Sequence, residues 1–218
     1  MSTPQSENMT QLILVRHGET LWNRERRMQG HSDSPLSDAG VRQARLLAGR
    51  LAQIEFDALY SSDSERAHRT ARSVAEVTGH DIVVEPRLRE RHFGVFEGLT
   101  GGEIQNLYPD DFLRFERRDP EFVVPGGESS LAFGSRVLGC LREIAERHCA
   151  QIVVVVTHGL VLDQVYRAAH GLPLNVPRGN ELINASLNTF HYESGRWRLE
   201  CWGDAAHLAE STASRFHE

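Results

Sequence analysis

Leu12-Ile13-Leu14-Val15-Arg16-His17-Gly18-Glu19-Thr20 is the stretch around which the rest of the chain arranges itself. Four consecutive apolar residues mark a short strand buried on both faces. The run ends in a cation, an imidazole and a glycine. Open α/β sheets hold ligands beyond the carboxyl ends of their strands, so Arg16 and His17 stand where a ligand would bind. Gly18 permits close backbone approach. A surface Arg-His pair at a strand end is the structural alternative, and these residues alone do not separate the two.

A second apolar run, Ile152-Val153-Val154-Val155-Val156, ends the same way, in Thr157-His158-Gly159. Adjacent parallel strands lie about 4.8 Å apart, so as neighbours these two would face one crevice with both His-Gly pairs. Packing readily accounts for one strand-end histidine. Two, each followed by glycine, point to chemistry.

Working outward, Ser37 is an N-cap for a helix with an apolar stripe at Val41, Ala44, Leu47, Ala48 and Leu51. Phe56 to Ser61 reads as a strand, and Ser61 to Ser64 as a capping cluster before a helix over about 65–77 that stops at Gly79. Ile82-Val83-Val84 is a third strand. Strand and helix alternate with short links, the rhythm of an α/β sheet covered on both faces. The expected architecture is a three-layer sandwich with a mostly parallel central sheet. Residues of about 90–135, rich in proline, glycine and aromatics, break that rhythm and read as a cap of loops and short helices over the strand ends. A long helix to about His148, the second apolar strand, a helix to about His170 and two final strands follow.

The chain has 218 residues, 40% hydrophobic and 25% charged, which suits one domain over 11–218 after a polar, frayed tail at 1–10. A formal net charge of -6 argues against nucleic acid or acidic lipid as partners. No apolar stretch suits a signal peptide or a membrane span, and cytoplasm is the default expectation. Three cysteines without a close motif suggest neither a disulfide framework nor a zinc site, and the eleven histidines show no metal-ligand spacing. No metal or other cofactor is expected. Nothing in the composition selects an oligomeric state.

Two further residues carry candidate chemistry. Arg66 lies in the first turn of its helix, where free N–H groups and the dipole favour an anion; a solvated helix-face arginine is the plainer alternative. Glu90, in Leu88-Arg89-Glu90-Arg91-His92-Phe93-Gly94, is an acid in a charged loop that spacing alone does not distinguish from Glu97.

Taken together, these motifs resemble the histidine phosphatase superfamily, the phosphoglycerate-mutase-like fold. The resemblance runs from Leu12 to about Leu208. It includes Leu14-Val15-Arg16-His17-Gly18-Glu19-Thr20 with Trp22-Asn23, then Gln29-Gly30, Pro35-Leu36-Ser37, Ser61-Ser62, Leu88 to Gly98 and Thr157-His158-Gly159, in the family's order. The resemblance implies that His17 is the nucleophile, that Arg16, Arg66 and His158 hold the phosphoryl oxygens, and that Glu90 is the general acid and base. It places Asn23, Gln29, Gly30 and Gly159 at the phosphate pocket, with Arg91 as a further substrate-binding candidate.

The chemistry fits those residue types. Imidazole attacks phosphorus only when neutral, and neighbouring guanidinium groups disfavour its protonation. Fixed arginine forks match the charge on the equatorial oxygens of a transferring phosphoryl group. An alkoxide leaving group needs a proton, which a carboxyl supplies.

Phosphatases and mutases of this family share those groups. Phe93 stands where a mutase usually has tyrosine, Gly101-Gly102 lie where it has a substrate lysine, and the stretch from Glu90 to His158 is short for a mutase. The expectation is therefore a metal-independent phosphatase acting through phosphohistidine on a small phosphomonoester. The alternatives are a 2,3-bisphosphoglycerate-dependent mutase and a non-catalytic phospholigand-binding module. Arg117-Arg118 would mimic a mutase arginine pair or form a solvated loop edge. Composition does not choose among sugars, glycerates, nucleotides or cofactor fragments as the organic part.

Overall fold

In both apolar runs, alternate residues enter different cores. Leu12, Leu14, Val153 and Val155 join one apolar cluster, whereas Ile13, Val15, Val154 and Val156 join another. Side chains on a strand alternate between faces, so each run is buried on both sides and needs cover on both sides.

The computed structural model describes residues 9–213. Its strands are β1 (Thr10–Arg16), β2 (Ala58–Ser61), β3 (Ile82–Val84), β4 (Ile152–Thr157), β5 (Leu187–Glu193) and β6 (Arg196–Asp204). They form one sheet in the order β3-β2-β4-β1-β5-β6. The first four in that order run parallel; β5 is antiparallel to β1, and β6 to β5. The two apolar runs are neighbours, in a register that sets Val15 against Val156 and Arg16 against Thr157.

The helices are α1 (Leu21–Glu25), α2 (Asp38–Leu51), α3 (Glu65–Thr78), α4 (Gly101–Leu107), α5 (Pro109–Glu116), α6 (Ser130–Arg147), α7 (Gly159–His170) and α8 (Ala206–Ala213). α6 and α7 cover one sheet face with Phe133, Val137, Leu141, Val161 and Leu162. α2 and α3 cover the other with Leu47, Leu51, Ala67, Ala71 and Val74. The architecture is the expected α/β sandwich. A third cluster, Phe93, Phe96, Ile104, Phe122 and Val124, lies in the 86–135 segment, with Leu160 of α7 packed against it. Among the described residues, no helix is long and apolar enough to cross a membrane.

Several elements differ from expectation for local reasons. The frayed tail expected over 1–10 falls outside the described residues apart from Met9 and Thr10. Thr10 is not part of a loose tail: it opens β1, buried, and its hydroxyl donates to the carbonyl of Ala145 at 2.7 Å. β2 begins at Ala58 instead of Phe56, because the Asp57 carboxylate accepts the Ile152 N–H at 2.8 Å instead of entering the strand. Ser64 holds the N-cap position of α3 without capping it. Asp33, from a distant loop, accepts the Glu65 N–H at 2.8 Å instead. The segment after His17 contains the short helix α1, closed by a capping box between Thr20 and Asn23.

Candidate active site

The carboxyl ends of β1 and β4 place His17 and His158 side by side. Their ring centroids lie 5.4 Å apart in an edge-on arrangement. Both are buried, His158 completely. The His17 N–H donates to the Thr157 carbonyl at 2.9 Å, which ties the two strand ends together. The Asn184 amide donates to the His17 carbonyl at 2.9 Å.

The hydrogen bond of the His17 ring assigns its proton. His17 Nδ1 lies 2.8 Å from the Gly18 carbonyl, which accepts only, so Nδ1 carries the hydrogen and Nε2 keeps its lone pair. His158 Nε2 lies 2.9 Å from Ser62 Oγ, and its Nδ1 is buried with no hydrogen-bond partner among the described residues. The Ser62 hydroxyl also bonds Ser64 Oγ at 3.4 Å and accepts the Ser64 N–H at 3.3 Å, and Nδ1 is the His158 ring atom left over. Burial holds both imidazoles well below their usual range, Arg66 is the next cause for each, and Arg16 lowers both further. The two rings are therefore neutral at physiological pH.

Arg66 is almost completely buried in the first turn of α3. Its Nη2 donates to the Gly30 carbonyl at 2.7 Å, and its Nη1 to the Ser32 carbonyl at 2.9 Å and Asp33 Oδ1 at 2.6 Å. The 30–33 loop thus fixes the guanidinium and leaves Nε without a partner. Arg16 is held through Nη1 by the Leu182 carbonyl, and its Nε also lacks a partner. Burial pushes the Arg16 guanidinium down to about 10, partly countered by Glu90. A Cβ on Gly159 would come within 3.4 Å of Arg16 Nε, so the guanidinium lies against the first residue of α7. The unpartnered Nε–H groups of two arginines and the unpartnered Nδ1 of His158 therefore accompany a neutral imidazole. An oxyanion is the ligand that such a set complements.

Glu90 stands beside this set. Its carboxylate accepts the N–H groups of Arg91 at 2.9 Å and Leu160 at 3.0 Å. Burial pushes its carboxyl pKa up, against those two bonds and the charges of Arg66 and Arg16. Glu97 is elsewhere and otherwise employed. It accepts from the N–H groups of His31, Ser32 and Phe93 and from the Ser32 hydroxyl, and so staples the 30–33 loop to the cap.

The other candidates divide. Gly30 and buried Gln29 lie at the loop that grips the Arg66 guanidinium, and Gln29 Oε1 has no partner among the described residues. Asn23 caps α1, and its Oδ1 accepts from the Thr20 N–H at 3.1 Å. Arg91 lines the cavity above the site but is committed to protein groups: the Glu128 carbonyl, Ser130 Oγ and the Phe122 carbonyl. It also stacks over Phe93 and Phe115. Arg118 is exposed at the cavity rim, and Arg117 is the exposed C-cap of α5. Sequence reasoning did not single out Asp33 and Asn184, which sit in polar loops with no periodic signal. Ser62 belongs to a capping cluster and to a block of the family resemblance in the sequence, neither of which points to its contact with His158.

The cavity has a volume of about 400 Å³ and is lined by Arg16, Glu90 and Gly159 together with the cap residues Phe93, Phe115 and Phe122. A family model for the histidine phosphatase superfamily (branch 1) matches residues 12–205. The chain is 36% identical to "Phosphoglycerate mutase-like protein 4" of Arabidopsis thaliana, over 92% of this chain and 88% of that one. It is 37% identical to the "Metal-independent phosphoserine phosphatase" of the same plant, over 92% of this chain and 84% of that one. The solved structure of Bacillus stearothermophilus YhfR superposes with a TM-score of 0.85 at 36% identity, covering 91% of this chain and 99% of that one.

Proposed function

Because the chain belongs to the histidine phosphatase superfamily, we propose that it is a metal-independent phosphomonoesterase with His17 as nucleophile. The observation that carries this reading is the His17 ring: neutral, hydrogen-bonded through Nδ1 with its other nitrogen free, and grouped with the unpartnered Nε–H groups of Arg16 and Arg66 and the unpartnered Nδ1 of His158.

In the first step, His17 Nε2 attacks phosphorus and the ester P–O bond breaks. Glu90, whose carboxyl pKa is raised by burial, gives its proton to the departing alkoxide. The product is phosphohistidine, with Nδ1–H still held by the Gly18 carbonyl. In the second step, the Glu90 carboxylate takes a proton from water as the water oxygen attacks phosphorus. The P–N bond breaks and inorganic phosphate leaves. Arg16, Arg66 and His158 hold the equatorial oxygens throughout, and the two guanidinium groups supply the positive charge that a metal ion supplies elsewhere. Similarity to the metal-independent phosphoserine phosphatase of Arabidopsis thaliana supports a metal-independent route.

Two features favour hydrolysis over phosphoryl shuttling. Phe93 offers no hydroxyl to a substrate and packs against Phe115 in the cap. Gly101 and Gly102, which open α4, present no cation. The mutase reading predicts isomerisation that depends on bisphosphoglycerate, with little phosphate release.

The test is phosphate release from phosphomonoesters without added metal, with radiolabel trapping of the enzyme. Labelling that survives alkali, is lost in acid, and disappears in His17→Ala is expected. A fall in turnover of at least about 10³-fold goes with that substitution. Full activity in His17→Ala would end the assignment.

A further inference from the structure

One face of α7 turns a buried polar pair towards the cavity. Arg167 Nε donates to Asp163 Oδ2 at 2.8 Å, and Arg167 Nη1 donates to the Pro173 carbonyl at 2.6 Å. Both residues line the cavity and are 6% exposed. The second oxygen, Asp163 Oδ1, is buried with no hydrogen-bond partner among the described residues. A buried carboxylate oxygen left unpaired is costly, and the phosphoryl chemistry does not use the pair. The same cavity is lined by the rings of Phe93, Phe115 and Phe122 from the cap and by Phe133 of α6.

We propose that Asp163 reads a hydroxyl on the organic part of the ester, so that the preferred substrates are phosphorylated sugars or polyols. The inference rests on the phosphatase reading and extends it to the leaving group. Three observations select a hydroxyl. The unpaired atom accepts only, so the ligand must donate. Arg167 already balances the Asp163 charge, and arginines outnumber acids five to four in the lining, so the cavity does not favour a cationic donor such as an ammonium group. The phenylalanine rings suit the C–H face of a sugar ring, while the α7 pair suits its hydroxyls. A cavity of about 400 Å³ is at the lower end of the range ligand sites occupy, about 300–1,000 Å³.

A site built to receive a hydroxyl rejects the analogue that lacks it. The experiment measures kcat/KM on hexose and pentose phosphates, their singly deoxygenated counterparts, phenyl phosphate and O-phosphoserine. At least one deoxy compound is expected to fall about 100-fold below its parent. The double variant Asp163→Leu/Arg167→Leu removes the pair together, so neither charge is stranded. It should erase that difference while phenyl phosphate stays within about threefold. Asp163→Asn serves if the double variant fails to fold. Its oxygen stays with Arg167 and its amide faces the cavity, so a charge-assisted bond becomes a neutral one. A drop of about tenfold or more, confined to the hydroxyl-bearing esters, is expected.

Equal rates on parent and deoxy esters, a preference for O-phosphoserine, or a double variant that keeps the discrimination would each overturn the proposal while phenyl phosphate turnover left the phosphatase reading intact. Failure to hydrolyse any ester, phenyl phosphate included, would overturn both.

Discussion

Two glutamates seven positions apart, alike on paper, have opposite surroundings. Four donors, three of them backbone N–H groups, surround Glu97 and hold it as a structural anion. Glu90 receives two N–H groups and is buried beside arginines, and burial is the largest influence on its pKa, in the direction of the acid form. That contrast yields a kinetic prediction. Glu90→Gln keeps the shape and loses the proton, so kcat on alkyl phosphates falls about 10²–10⁴-fold. With p-nitrophenyl phosphate, whose leaving group needs no acid, phosphorylation of His17 continues but hydrolysis of phosphohistidine slows. Stopped-flow traces should then show a burst of one nitrophenolate per enzyme. The pH profile follows from the same shifts. Activity needs His17 neutral, and burial lowers its pKa, so the acid limb lies below the usual imidazole range. Activity on alkyl esters needs Glu90 protonated, and burial raises its pKa, so the alkaline limb lies above the usual carboxylate range. The profile of kcat/KM should be a bell, and Glu90→Gln should remove its alkaline side.

Helix α2 shows how an element carries the site without touching the ligand. Its N-terminus packs against the backbone after His17: a Cβ on Gly40 would lie 1.9 Å from the Glu19 carbonyl oxygen, whereas one on Gly49 would meet nothing within 4 Å. Gly40→Ala must push the helix off Glu19, at a cost of about 1–3 kcal/mol, and should lower kcat with it. Gly49→Ala, exposed in the same helix, should gain about 0.5–1 kcal/mol and leave kcat alone; urea melts and steady-state rates separate the two. Helix α2 was legible in the sequence because Ser37 and a helical stripe mark it, as were β1 and β4, whose doubly buried runs allow few other placements. The parts that escaped depend on distant partners. Nothing local says that Asp33 would cap α3 and grip Arg66, or that Asn184 would hold the His17 carbonyl. For Arg91 the charge was visible, but its engagement by Glu128, Ser130 and Phe122 was not.

At the scale of the whole molecule, a chain of net charge -6 concentrates positive groups in one buried place, only partly offset by Asp33 and Glu90. Arg16 and Arg66 each depress the His17 and His158 imidazoles, and Arg66 helps to depress Arg16. The two arginines therefore repel one another in a medium where water screens little, and the folded state carries that cost whenever the site is empty. An anion that fills the site relieves the repulsion, and it binds only the folded chain, so binding appears directly as stability. At about 100 times its dissociation constant, a single ligand adds about 2.7 kcal/mol. For a chain of this length, each kcal/mol moves the melting temperature by about 2–4 °C. Inorganic phosphate at saturation should therefore raise Tm by about 5–10 °C over chloride at matched ionic strength. Arg66→Met removes one of the repelling charges and one of the gripping forks together. Its Asp33 partner is partly exposed and close to water, so the variant should fold. Its phosphate-dependent rise should shrink to less than half that of the wild type, as measured by scanning calorimetry across a phosphate titration. An undiminished rise in Arg66→Met would mean that phosphate binds elsewhere on the chain, and the assignment of Arg66 to the phosphoryl site would fall with it.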